Sequence, residues 1–101
     1  MSTSAVLAPI RERGERVCLA LARGELEIAF SYLRLAEAEA HGGKLSHAHD
    51  LVDKARASHA AALQYVESLP AEFDDDKSEF LSEARQLFDA IRRMGSFLLG
   101  S

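Results

Sequence analysis

From Leu45 to Leu69, apolar or small residues fall at Leu45, Ala48, Val52, Ala55, His59, Ala62, Val66 and Leu69, in alternating steps of three and four. Such a stripe keeps to one side of an α-helix and to no side of a strand, so it predicts one helix with one buried face. The same steps join Phe80, Ala84, Leu87, Ile91, Met94 and Leu98. Glu79 and Glu83 stand early in this second stripe and Arg92 and Arg93 late, as the helix dipole favours, which predicts a helix from Asp76 to Leu98. Between the two, LPAEFDDD supplies Pro70 to stop one helix, and Asp76 with Glu79, at capping-box spacing, to start the next.

The first forty residues carry two stripes. Leu19, Ala22, Leu26, Ala29, Leu33, Ala36 and Ala40 form one, while Val17, Leu21, Gly24, Ile28 and Leu35 form another on the opposite side. A helix apolar on two faces is sandwiched. Either one long helix packs on its own bundle and on a second chain, or the chain folds back near Gly24 and the next segment sits between two neighbours. Glycine in a helix interior costs about 1 kcal/mol relative to alanine, too little to decide. GELEIAFSYLRLA (24–36) and GKLSHAHDLVDKA (43–55) share Gly, Leu, Ala, Leu or Val, and Ala at matching positions. If Gly43 ends a helix in the left-handed conformation, Gly24 is expected to do the same. The expected fold is all-α, an up-and-down antiparallel bundle of three or four helices, with four favoured.

The composition agrees with helices in close contact: 48% hydrophobic residues, many of them alanine, no Trp, and prolines only at Pro9 and Pro70. A chain of 101 residues is read as a single domain, with residues 1–9 as a flexible N-terminal segment. The net charge of −4 is spread, with bases interleaved among acids, which argues against nucleic acid as a partner. Cys18 has no second cysteine to bridge, and its neighbours Val17 and Leu19 fit a packed thiol. No positive leader with a long apolar run opens the chain, and no stretch is apolar enough to cross a membrane, so a cytoplasmic protein is expected.

HGGKLSHAHD (41–50) gathers three histidines and an aspartate around two glycines. On a helix, residues two apart point about 200° from each other, so His47 and His49 cannot share an ion. His49 and Asp53 could offer two ligands where a stable zinc site wants three or four. His59 sits inside the apolar stripe and is read as a core histidine held by one hydrogen bond. No metal or cofactor is assigned, and no phosphate loop or nucleophile elbow stands in the chain, so no catalysis is expected. The alternative is histidine-based phosphotransfer or a small metal-dependent or nuclease-like helical enzyme. AHDLVDKA resembles a histidine-phosphotransfer helix, although Asp50 and Asp53 flank His49 and the usual Lys-Gly pair is missing. Arg34 and His41 resemble the Arg and His of HEPN-type ribonucleases.

Tyr32, Leu35, Ala36, Gly43, Ala48, Val52 and Ala55 resemble one tetratricopeptide-type helical hairpin, with Glu39, Val52 and Ala60 departing from its usual residues. Residues 29 to 94 are more similar to the MIT domain, the microtubule-interacting and trafficking module. Ala29–Ala40, Lys44–Leu69 and FLSEARQL (80–87) stand for its three helices, and the charges at Glu83 and Arg85 are reversed from its usual pattern. That resemblance implies a groove beside the third helix for a partner helix or tail. From the residues alone, Val17, Leu21, Gly24, Ile28, Tyr32, Leu35, Phe97, Leu98 and Leu99 exceed what a small bundle can cover, which is the mark of a partner surface. The competing reading folds residues 5 to 10, with Val6, Leu7 and Ile10, over the stripe. The expected function is protein interaction, with self-association through the stripe and no nucleic acid or membrane partner.

Overall fold

The computed structural model describes residues 3 to 67 and 69 to 100, with side chains from residue 13 onward. Three helices follow one another: α1 (Thr3–His41), α2 (Leu45–Glu67) and α3 (Asp74–Leu99), with a short 3-10 turn at Ala71–Phe73 before the last. All-α is therefore the fold class, with three α-helices among the described residues. Gly24 lies inside α1, which corrects the favoured four-helix reading. Residues 3 to 9, read from sequence as a flexible segment, are helical too.

The turn after α1 explains why one glycine breaks the chain. Gly43 has φ +80 and is the only described residue with a positive φ. Its N–H donates to Ala40 O at 3.1 Å, and the Lys44 N–H donates to Glu39 O at 2.8 Å. This pair of bonds is the Schellman closure, in which a left-handed residue just past the helix satisfies two orphan carbonyls. Lys44 then stands just before α2, its carbonyl accepting from the Ala48 N–H at 3.0 Å. Nothing lies within 4 Å of where a Cβ on Gly43 would stand, so a substitution there meets a backbone cost alone. Gly43→Ala is expected to lower stability by about 1 kcal/mol, a fall in Tm of roughly 4–8 °C for a domain this size. Thermal unfolding followed by circular dichroism measures it, and an unchanged Tm would contradict the left-handed closure.

The second connection is built differently. The Phe73 N–H donates to Pro70 O at 3.0 Å, and Lys77 Nζ reaches back to donate to Leu69 O at 3.1 Å. Asp74, Asp75 and Asp76 all fall in the first turn of α3, where carboxylates suit the helix dipole. The helix thus starts two residues before the Asp76 cap expected from the sequence. Its N-cap, Phe73, makes no side-chain cap bond. Asp76 instead stands 3.7 Å from Arg23, tying α3 to α1.

Helices α1 and α2 meet through alanine. Ala22, Ala29 and Ala36 on α1 and Ala48, Ala55 and Ala62 on α2 are all wholly buried, each set spaced by seven. His47 Nδ1 lies 3.5 Å from Glu39, and Lys54 stands 6.0 Å over the Tyr32 ring, which fixes the antiparallel register. Seven residues gained along α1 are seven lost along α2, so Ala36 and Ala48, Ala29 and Ala55, and Ala22 and Ala62 each come within about two residues of level across the seam. Small side chains at every second layer let two helix axes approach closely, with Leu19, Leu26 and Leu33 filling the layers between. At Glu15 the heptad would next require an alanine, and there the seam ends; Glu15 Oε2 is buried with no hydrogen-bond partner among the described residues. Helix α3 closes the core with Phe80, Ala84, Leu87, Ile91 and Leu98. Because α1 extends past the other two, the molecule measures 65 Å along its longest axis against 19 and 14 Å across.

Candidate functional site

The second stripe of α1 faces away from both neighbouring helices. Val17, Leu21, Ile28 and Leu35 are 53, 48, 46 and 53% exposed, although each is a large apolar side chain. Gly24 sits in their midst, and a Cβ placed on it would meet no atom within 4 Å. Among the described residues, no neighbour beyond its own turn of helix therefore requires glycine at this position. Residues 5 to 10 continue the helix and do not double back, so their backbone leaves the stripe uncovered. The side chains of Val6, Leu7 and Ile10 lie outside the described residues.

The remaining surface residues named from sequence do not join this stripe. Tyr32 is partly buried at the α2 border, beneath Lys54. Leu98 is 4% exposed and belongs to the core, which removes it from any partner surface. It follows Ile91 by seven residues, so the stripe of α3 had already placed it inside. Phe97, 55% exposed, lines a hollow of about 480 Å³ between α1 and α3, together with Phe30, Leu33, Ala90 and Met94. Arg34, Arg93, Glu37 and His41 rim that hollow, so the spaced Arg34 and His41 do share one wall. Leu99, 84% exposed, ends α3 beside His49, Arg56 and Arg92.

On its other flank α3 forms a second hollow with α2, of about 520 Å³, which Leu81, Phe88, Leu63, Arg85 and His59 line. Leu81 and Phe88 are both 47% exposed, and neither was named as a surface residue from sequence. Each follows a core residue directly, Phe80 and Leu87, and a neighbour of a stripe position gives no periodic signal of its own.

The histidines disperse as their spacing requires. His47 turns to Glu39, and His49 stays on the exposed side of α2. His59 is half-buried, its Nε2–H donating to Ala84 O at 3.1 Å, with the ring 5.8 Å from that of Phe88. The carbonyl partner assigns the proton to Nε2 and makes the residue a strut between α2 and α3. Among the described residues no three His, Cys, Asp or Glu side chains gather as a metal site would need. No described helix is long and apolar enough to cross a membrane. The chain matches no known family model, no curated protein and no solved structure.

Proposed function

We propose that this small helical bundle works without catalysis, through protein contact, and that it self-associates by the outer face of α1. The observation that supports this reading is the exposed stripe of Val17, Leu21, Ile28 and Leu35 around an open glycine. Large apolar side chains left in contact with water on one continuous helix face cost free energy, and covering them recovers about 25 cal/mol per Å² removed. A glycine that lowers the stability of its own helix, and that no neighbour in the chain needs, fits a surface which another backbone or bulky side chain approaches.

Sedimentation over a concentration series tests the proposal. The wild-type chain is expected to shift from monomer to dimer, and Ile28→Glu is expected to raise the dimer Kd at least tenfold while keeping its helical circular dichroism. Ile28 is half exposed, so the substitution spares the core. A wild-type chain that stays monomeric at high micromolar concentration contradicts the reading.

The hollows flanking α3 favour a second role, the holding of a partner helix or tail. Phe97 and Met94 would grip an apolar side chain in the α1–α3 hollow, with Arg34 and Arg93 drawing acidic residues to its rim.

A further inference from the structure

The outer face of α1 repeats the size alternation of its inner face. Large side chains stand at Leu21, Ile28 and Leu35, and small residues at Gly24, Ser31 and Ala38, each set spaced by seven. Ser31 turns its hydroxyl back to donate to Glu27 O at 3.0 Å, so covering it strands no polar atom. Glu27 and Arg34 follow one border of the stripe, and neither forms an ion pair among the described residues. Glu25 and Tyr32 follow the other border.

Resting on the self-association proposed above, we propose that the occupant of this face is a second copy of the chain, antiparallel, with the two-fold axis level with the Ala29–Phe30 peptide. In that register Ile28 meets Ser31, Gly24 meets Leu35 and Leu21 meets Ala38, so every layer sets a large side chain on a small one. Glu27 of each copy meets Arg34 of the other, and Glu25 meets the Tyr32 hydroxyl. Both the sizes and the charges are thus complementary to themselves about one point, which is what an isologous interface demands and what an unrelated partner would have no reason to produce.

Neighbouring registers lose on charge. Sliding the partner by one heptad in one direction sets Glu27 against Glu27 and Glu25 against Glu25. Sliding it the other way sets Arg34 against Arg34 and Glu25 against Glu39. A parallel pair sets leucine on leucine and leaves Gly24 facing Gly24, so its layers alternate between crowding and a gap.

Charge exchange at low ionic strength tests the register. Glu27→Arg and Arg34→Glu, each alone, are expected to weaken the dimer about tenfold, because two attractive contacts become repulsive. Mixing the two variants is expected to restore a dimer of wild-type strength, since both contacts between positions 27 and 34 again join unlike charges. Cross-linking gives a second readout on a Cys18→Ser background. At 1.5 Å rise per residue the two Ser31 positions lie about 5 Å apart along the axis and the two Leu21 positions about 25 Å. Ser31→Cys is therefore expected to form a covalent dimer and Leu21→Cys is not. Mixing without restoration, or equal cross-linking at both positions, overturns the register; if Ile28→Glu still dissociates the dimer, self-association through this face stands without it. A dimer indifferent to Ile28→Glu, or a wild-type monomer, removes both.

Discussion

Phe80→Ala is expected to lower the unfolding free energy by about 3–5 kcal/mol, the range for emptying a fully buried aromatic site. Phe80 is 1% exposed and heads the large, fully buried side chains of the protein. It stands two turns into α3, where that helix first settles on the pair formed by α1 and α2. The alanine seam between α1 and α2 leaves few bulky groups there to relax into the space. The cavity would therefore persist, and its cost adds to the lost transfer free energy. Because domains of this size have only about 5–15 kcal/mol in total, the variant should unfold at least 12 °C or so below wild type. Phe88→Ala is the control, since Phe88 is 47% exposed and its ring stands at the surface beside His59 and, at 5.9 Å, Arg92. It should cost about 1 kcal/mol or less. Urea unfolding of both compares them, and equal losses would mean that α3 presents a different face to the core.

Much of this core was legible because its stripes are periodic. Ala48, Val52, Ala55, Ala62 and Val66 on α2, and Phe80, Ala84, Leu87, Ile91 and Leu98 on α3, stand buried where steps of three and four place them. Gly24 was misjudged for a definite reason. Its match to Gly43 compares side chains, whereas a helix ends on backbone conformation, and only Gly43 adopts the left-handed one. Gly43 follows Gly42, so two poor helix formers act together, while Gly24 is a single cost of about 1 kcal/mol flanked by Arg23, Glu25 and Leu26. Packing along α1 outweighs that cost, with Ala22, Leu26 and Ala29 buried on either side of the glycine. The outer stripe could be read from sequence because its residues share one helix face. The resemblance implied a groove beside the third helix, but the lining of the hollows there could not be read, because Phe30 and Met94, or Leu81 and His59, come together only when two helices are docked. Leu98 shows the converse error: grouping it with Phe97 and Leu99 as an apolar terminus ignored the period that puts it alone inside.

Ala55→Leu is expected to cost about 2–3 kcal/mol, although leucine is nearly as good a helix former as alanine and more hydrophobic. Ala55 is wholly buried, as is Ala29, which the register places opposite it. Three further carbons at this level have no void to enter, so the axes of α1 and α2 must separate or neighbouring side chains must leave their rotamers. Separation would propagate, since the same seam holds Ala22 with Ala62 and Ala36 with Ala48, and each of those layers loses contact as the helices part. Ala57→Leu, two residues on and exposed, provides the contrast and should change stability by no more than about 0.5 kcal/mol. The sign of the difference separates two views of an alanine-rich helix. If alanine were there for helix propensity alone, the two substitutions would behave alike. If it sets the distance between axes, Ala55→Leu destabilises, and pairing it with Ala29→Gly returns part of the loss by making room on the facing helix, beyond the roughly 1 kcal/mol that glycine itself costs there. Urea unfolding of the four variants gives that coupling directly, and additivity of Ala55→Leu with Ala29→Gly would rule out a close approach at this layer.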